Sequence, residues 1–386
     1  MVGWCRTGHA DFTVTELFRT PLDGPEYEFG GMTSGGIVYG YTTGYGSRAE
    51  VESFRGFTVD ADAGFRWFDV PSASTPFAPV SMNDAGQSVV RPYRSQATFG
   101  ETYHSPDLAA SYFIDRDGST HPLNDPSFGG GQGFEFHGID EHGTVYGSDL
   151  RNRWTPFRWS RESGFRPLAS PGGTLFGAYD LGVNRVGQVV GLVTVDEQDQ
   201  TVLWDPEGTP QVIQDSESGG EFLPVLGQTG VIGGSYQPSD GSPVQIAQWS
   251  PEEGLITIGD LWDDEFEFVE SESESFVEAI GPEGQMIGYS TTVETVTRSF
   301  IYSPSIGLRR FDPDLGDTGY ELGSILGFTD TGDIYAIGRS TTDDRRSVLR
   351  LTFNTPIPEP CVLPCMAFGG VMAWGWRRRR SVRTID

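Results

Sequence analysis

The chain contains no lysine. All 26 basic residues are arginine, set against 54 Asp and Glu, for a net charge of −28 over 386 residues. Cysteine is almost absent too: Cys5, Cys361 and Cys365 are the three, with none between residues 6 and 360. That excludes a disulfide framework for the body, whose core must be large enough to stand without staples. The five histidines, His9, His104, His121, His137 and His142, form no HExxH or Cys/His arrangement, so no zinc motif exists. A G-x-S-x-G nucleophile elbow is also missing. The acid excess repels phosphate backbones and excludes nucleic acid as an expected partner.

What is present is turn and ring chemistry. Glycine is 52 and proline 25, and the glycines lack the three-residue period of collagen. The 25 Phe, 14 Tyr and 9 Trp are too many for a disordered acidic chain. A soluble, turn-rich, all-β protein is expected.

One pattern recurs: Gly, any residue, apolar, any residue, small. Its leading residues are Gly36, Gly86, Gly143, Gly187, Gly230, Gly284 and Gly332, seven copies in all. Gly86-Gln87-Ser88-Val89-Val90 is the degraded copy, since it ends on valine. Three residues before each leading Gly stands a turn or polar residue: Thr33, Asn83, Asp140, Asn184, Gly227, Gly281 or Thr329. This predicts a tight turn whose Gly supplies positive φ. The second small residue predicts close backbone approach.

A second pattern follows, an aromatic strand before a Gly turn. Phe157-Arg158-Trp159 with Gly164 and Ala247-Gln248-Trp249 with Gly254 are examples; Phe57-Thr58-Val59 with Gly64 is a looser one. Each unit then holds about four short strands in roughly 43–57 residues, the size of a propeller blade. The expectation is an all-β, seven-bladed β-propeller over residues 31–354, and a monomer. A sandwich pair or a β-solenoid are the alternatives. Residues 1–30 form an N-terminal segment in which Asp11 to Phe18 supply a ring-closing strand.

These units resemble the HAF repeat of extracellular bacterial proteins. Asn184-Arg185-Val186-Gly187-Gln188-Val189-Val190-Gly191 is the best match, and Asn83-Asp84-Ala85-Gly86-Gln87 matches the turn. The eponymous His is absent: the positions read Arg55-Gly56-Phe57, Thr155-Pro156-Phe157 and Arg298-Ser299-Phe300. The resemblance implies architecture and no established enzymatic activity.

Residues 355–386 form a distinct tail. Pro356 to Pro360 is a proline-rich linker, extended because proline fixes φ. Cys361 to Trp376 carries no charge, and Arg377, Arg378, Arg379 and Arg380 follow. As a helix the uncharged run measures about 24 Å, somewhat short of the hydrocarbon core. The arginines would hold that end in the cytoplasm. This order of elements closely resembles a PEP-CTERM sorting signal. The resemblance implies Pro358, Glu359 and Pro360 as the motif read by an exosortase, residues 361–376 as a transient membrane anchor, and Arg377–Arg380 as the stop-transfer element. It also implies export to the envelope or exterior of a Gram-negative bacterium. Met1 to Phe18 offers no signal peptide, interrupted as it is by Arg6, His9, Asp11 and Glu16, so one is expected upstream of Met1.

Other chemistry is sparse. Asp115-Arg116-Asp117-Gly118-Ser119 opens like a calcium loop, but an EF-hand needs Glu where Pro126 stands. It and Asp60-Ala61-Asp62 read as hairpin turns. His137 and His142 straddle the turn at Gly143 and read as loop histidines. The acidic segment Asp260 to Glu278 reads as a lengthened blade connection with a solvated strand face. No catalytic residue, metal site or cofactor is assigned. The expected role is binding or scaffolding, with extracellular polysaccharide as a partner. The alternative is a glycan lyase or hydrolase, which a cluster of Asp, Glu, His or Arg at one channel mouth would favour.

Overall fold

The computed structural model describes residues 12–22, 25–43, 55–68, 77–92, 111–123, 133–150, 152–215, 220–259, 274–291, 297–305, 307–311 and 318–353. They form seven four-stranded antiparallel sheets, the seven-bladed propeller expected. Strand β1 (Phe12–Arg19) precedes the first blade. Blade one is β2 (Glu26–Met32), β3 (Val38–Thr43), β4 (Gly56–Asp60) and β5 (Gly64–Phe68). Blade two is β6 (Phe77–Met82), β7 (Ser88–Pro92), β8 (Tyr112–Ile114) and β9 (Thr120–Pro122). Blade three is β10 (Phe134–Ile139), β11 (Val145–Asp149), β12 (Thr155–Ser160) and β13 (Gly164–Pro167). Blade four is β14 (Leu175–Val183), β15 (Val189–Val195), β16 (Gln198–Trp204) and β17 (Pro210–Asp215). Blade five is β18 (Gly220–Leu226), β19 (Ile232–Pro238), β20 (Gln245–Ser250) and β21 (Gly254–Gly259). Blade six is β22 (Glu274–Ile280), β23 (Met286–Thr291), β24 (Thr297–Ser303) and β25 (Gly307–Phe311). Blade seven is β26 (Tyr320–Phe328), β27 (Ile334–Ser340) and β28 (Arg346–Phe353), with β1 as its fourth strand.

Each blade's first strand touches the first strand of the next, and β26 touches β2, which closes the ring. The first strands therefore surround the central axis. Blade seven is completed from the other end of the chain: β1 pairs β28 from Phe12↔Phe353 to Arg19↔Ser347. The first blade starts at Glu26, ahead of residue 31. Glu274 to Glu278 belong to inner strand β22 and not to a connection, because Val277 and Ala279 are drawn into the blade core.

The turns follow from local chemistry. All seven leading glycines have φ between 79° and 91°, where a Cβ would be strained. The polar residue three before caps the turn: Asn184 Oδ1 accepts from Gln188 N at 2.9 Å, and Thr329 Oγ1 from Asp333 N at 3.1 Å. The second turn of blades one to six holds its Gly at φ 64° to 87°, from Gly164 to Gly208. Phe57-Thr58-Val59 sits in this register like the other copies.

The second small residue answers a different need. Inner strands β2, β6, β10, β14, β22 and β26 each carry a bulge against their partner, and β18 does not. Gly40, Gly147, Gly234 and Gly288 face inner-strand carbonyls. An added Cβ would collide with the oxygens of Glu28, Glu135, Leu223 and Phe276 respectively. On the other side the phenyl rings of Phe57, Phe157 and Phe300 close over Gly40, Gly147 and Gly288, their cross-strand partners. Space, not φ, selects glycine here, and the ring covers the bare backbone.

A single blade cannot bury both faces, so each is sealed by a neighbour. Seven apolar clusters occupy the seven interfaces. The closing strand serves two of them. Phe12 meets Phe311 of blade six at 5.6 Å between ring centroids, and Phe18 stacks on Phe65 of blade one at 4.6 Å. Burying one such side chain stabilises by about 1.5–3 kcal/mol.

Candidate functional site

An antiparallel meander sends its first and third turns to one end and its second loops and blade connections to the other. The propeller therefore has a tight-turn face and a connection face. On the tight-turn face the seven first turns ring the mouth of the central channel. Ser34 Oγ and Gly35 N donate to Asp84 of blade two at 2.5 and 2.7 Å. Asn83 Nδ2 donates to the Asp140 carbonyl of blade three at 2.7 Å. Glu141 N donates to Arg185 O at 2.9 Å, and Arg185 N to Gln228 Oε1 at 3.0 Å. Thr229 Oγ1 reaches the Pro282 carbonyl at 3.0 Å, and Asp330 N the Ser34 carbonyl at 2.9 Å.

One contact crosses this ring instead of following it. Arg185 of blade four forms an ion pair with Asp330 of blade seven. Those blades stand as far apart as a seven-membered ring allows, so the pair spans the mouth. The turns also present Asp84, Glu141, His142 and Glu283 here. Asp84 is committed to its neighbouring turn, and Glu283 accepts from Gln285 Nε2 at 3.1 Å.

Further in, the inner-strand bulges re-aim single residues. The bulged residue is Glu278 in β22 and His137 in β10. Glu278 is exposed, yet desolvation pushes its carboxyl above the usual range. That combination fits a narrow wet space, the channel wall, and it shifts the group toward proton donation. His137 Nε2 lies 3.2 Å from Ser148 Oγ. Tyr39, buried in blade one, is pushed up to about 12 by burial. Tyr146 is raised by burial first and then by the Asp140 carboxylate that its hydroxyl contacts at 3.2 Å.

The other sequence candidates resolve into turns. His142 extends to solvent, 3.9 Å from Glu141, while His137 has a different partner, so the structure does not pair them. Asp115 accepts from Gln87 Nε2 and Arg116 N at 3.0 and 2.8 Å, and Asp117 from Ser119 N at 2.8 Å. Asp60 Oδ1 accepts from Asp62 N and Ala63 N. Among the described residues no group of three or more His, Cys, Asp or Glu is close enough to hold a metal. Pro358, Glu359, Pro360 and Arg377–Arg380 lie outside the described residues, as do residues 260–273. No described helix is long and apolar enough to cross a membrane. Nothing in the sequence marks Arg185 as a mouth residue, and Glu278 stands out there only as the end of the acidic segment. A bulge and a contact across the ring leave no local periodicity.

No family model matches the chain, and no curated protein does either. Among solved structures, a virginiamycin B lyase from Staphylococcus aureus is similar at 10% identity and TM-score 0.45, covering 89% of this chain and 99% of that one. Prolyl endopeptidases are similar at 12% identity and TM-score 0.48, covering 86% of this chain and 47% of theirs. A puromycin-hydrolysing peptidase of Mycobacterium tuberculosis matches at 12% and TM-score 0.47, covering 87% and 55%. These likenesses carry no chemistry over to this chain.

Proposed function

We propose that this chain is an exported surface or matrix propeller with a binding or scaffolding role, delivered and processed through a C-terminal PEP-CTERM signal. The observation that carries the proposal is the tail. Pro358-Glu359-Pro360, the uncharged residues 361–376 and Arg377–Arg380 follow in that order just after the last strand ends at Phe353. A cut anywhere after Phe353 would leave every strand of the ring in place. An exosortase-type enzyme and the inner membrane are its transient partners. Replacing Pro358-Glu359-Pro360 with alanines is expected to leave full-length precursor in the membrane fraction. Normal processing of that variant overturns the sorting reading.

A second reading, a glycan lyase or hydrolase, draws support from the charged mouth and from the raised Glu278 carboxyl. The committed bonds of Asp84, Arg185 and Asp330 speak for a structural ring instead. Release of new sugar ends from extracellular polysaccharide, abolished by Glu278→Gln, would establish the enzyme.

A further inference from the structure

A cleft of about 310 Å³ opens on the connection face between blades four and five. A β-bulge at Ile213 changes the alternation of β17 just before Gln214. Gln214 lines the cleft and is only 8% exposed. Its Nε2 donates to the Gly220 carbonyl at 3.1 Å, whereas its Oε1 has no partner. Leaving a buried acceptor unmet destabilises the fold, and a bound donor removes that cost. The other orientation of the amide would set oxygen against the Gly220 oxygen, so an acceptor is what this site leaves open.

The charged groups around Gln214 share one sign. Asp199 and Glu221 both line the cleft, and among the described residues no Arg or His does. Leu192 and Pro238 add apolar wall. Asp199 Oδ1 accepts from Thr194 Oγ1 at 2.6 Å, which leaves its charge in place. The unmet acceptor and the two negative charges together call for a ligand rich in donors and positively charged. An ammonium group offers donors only, and sugar hydroxyls supply the rest. The volume is at the small end of ligand pockets and suits one or two sugar rings.

We propose that this cleft binds an amino sugar bearing a free ammonium, with a hydroxyl donating to Gln214 Oε1 and the ammonium held by Asp199 and Glu221. This names a ligand class for the binding role but stands independently of export and tail processing.

The test uses the full chain, labelled with ¹⁵N and titrated with glucosamine, glucose and N-acetylglucosamine. Glucosamine is expected to shift the Gly220 amide and the Gln214 side-chain amide, and its affinity to fall as salt is raised. Glucose and N-acetylglucosamine are expected to bind about tenfold more weakly or worse. Gln214→Leu removes the unmet acceptor, so its Tm is expected to hold or rise while glucosamine affinity drops about tenfold. Glu221→Gln is expected to weaken glucosamine and leave glucose unchanged. Equal binding of the three sugars overturns the ammonium assignment. No shift at Gly220, or wild-type affinity in Gln214→Leu, overturns the site. A defect in tail processing moves none of these readouts.

Discussion

Blade seven and blade two are built from the same repeat and held in opposite ways. Blade seven joins both ends of the described chain, and its strands run seven to nine residues. Its interface with blade six holds ten buried residues, including Ile334, Leu349 and Leu351. Blade two has outer strands of three residues each, and its interface with blade one holds three buried residues: Phe77, Val90 and Ile114. The difference shows where a closed ring needs strength. The seam is the one place where covalent continuity is missing, so packing and pairing are concentrated there. A thin blade between two neighbours is confined by the closed ring.

The most severe way to break the comparison is to remove β1. A chain lacking residues 1–20 is expected to lose its monomeric fold, because Phe12 and Phe18 leave two interfaces and β28 becomes a bare edge. Size exclusion and far-UV circular dichroism check this; a folded monomer would show that closure is dispensable. Next in size is one substitution made in both blades. Ile334→Ala is expected near the top of the range of about 2–5 kcal/mol, and Ile114→Ala near the bottom. Urea unfolding measures both, and equal costs would erase the distinction.

A subtler contrast lies at the second small residue. Gly288→Ala pushes a Cβ into the Phe276 carbonyl and the Phe300 ring, at an expected cost of about 1–3 kcal/mol. Blade two already holds Val90 at this place, opposite Tyr112 in the register. Its bulge lies between Pro79 and Ser81, and Val90 stays fully buried there. Val90→Ala, which shrinks the residue, is therefore expected to destabilise, just as Gly288→Ala in blade six does by enlarging it. Together the two variants test whether the degraded repeat is a local solution or a defect; a Val90→Ala variant of unchanged stability would make it a defect.

Acid sharpens the same contrast. The Arg345 guanidinium, with Ser340, holds the Asp343 carboxyl well below the usual carboxylate range. Arg19 of β1 reaches the same carboxylate at 3.3 Å. A depressed folded value means that this contribution is present above about pH 4 and is lost as pH falls toward the depressed value. Asp115 of blade two is also held low, first by Gln87 of the same blade, and its link to the next blade is a longer ion pair with the exposed Arg161 at 3.4 Å. Hydrogen exchange of Phe12–Arg19 is thus expected to speed up on acidification more than that of blade two. An unchanged closing strand would count against the link.

The architecture was legible because its signals are local. Gly36 and Gly284 mark turns within a few residues of their caps, and the alternation of Phe12 and Val14 exposed a strand without a nearby partner. The site was less legible for the same reason. Arg185 and Asp330 are separated by three blades, and nothing in either turn announces the other. Glu278 was grouped with the acids preceding it, since charge runs hide a strand boundary that burial of Val277 and Ala279 reveals. Gln214 looked like any polar strand residue until the bulge at Ile213 placed it against blade five.

The smallest expected effect concerns the pair across the mouth. Arg185 and Asp330 are each more than a third exposed on their side chains. An ion pair so placed contributes under about 1 kcal/mol, so Arg185→Ala should barely move the urea midpoint. Its backbone amide and carbonyl keep their bonds to Gln228 and Glu141, so the turn itself survives. What changes is the mouth: Asp330 is left as an unpaired carboxylate facing an acidic ring. Stability should then become more dependent on salt, because screening relieves the new repulsion. A large loss of stability in Arg185→Ala would instead make the crossing a fourth-to-seventh blade brace, a second seam beside the one that β1 closes.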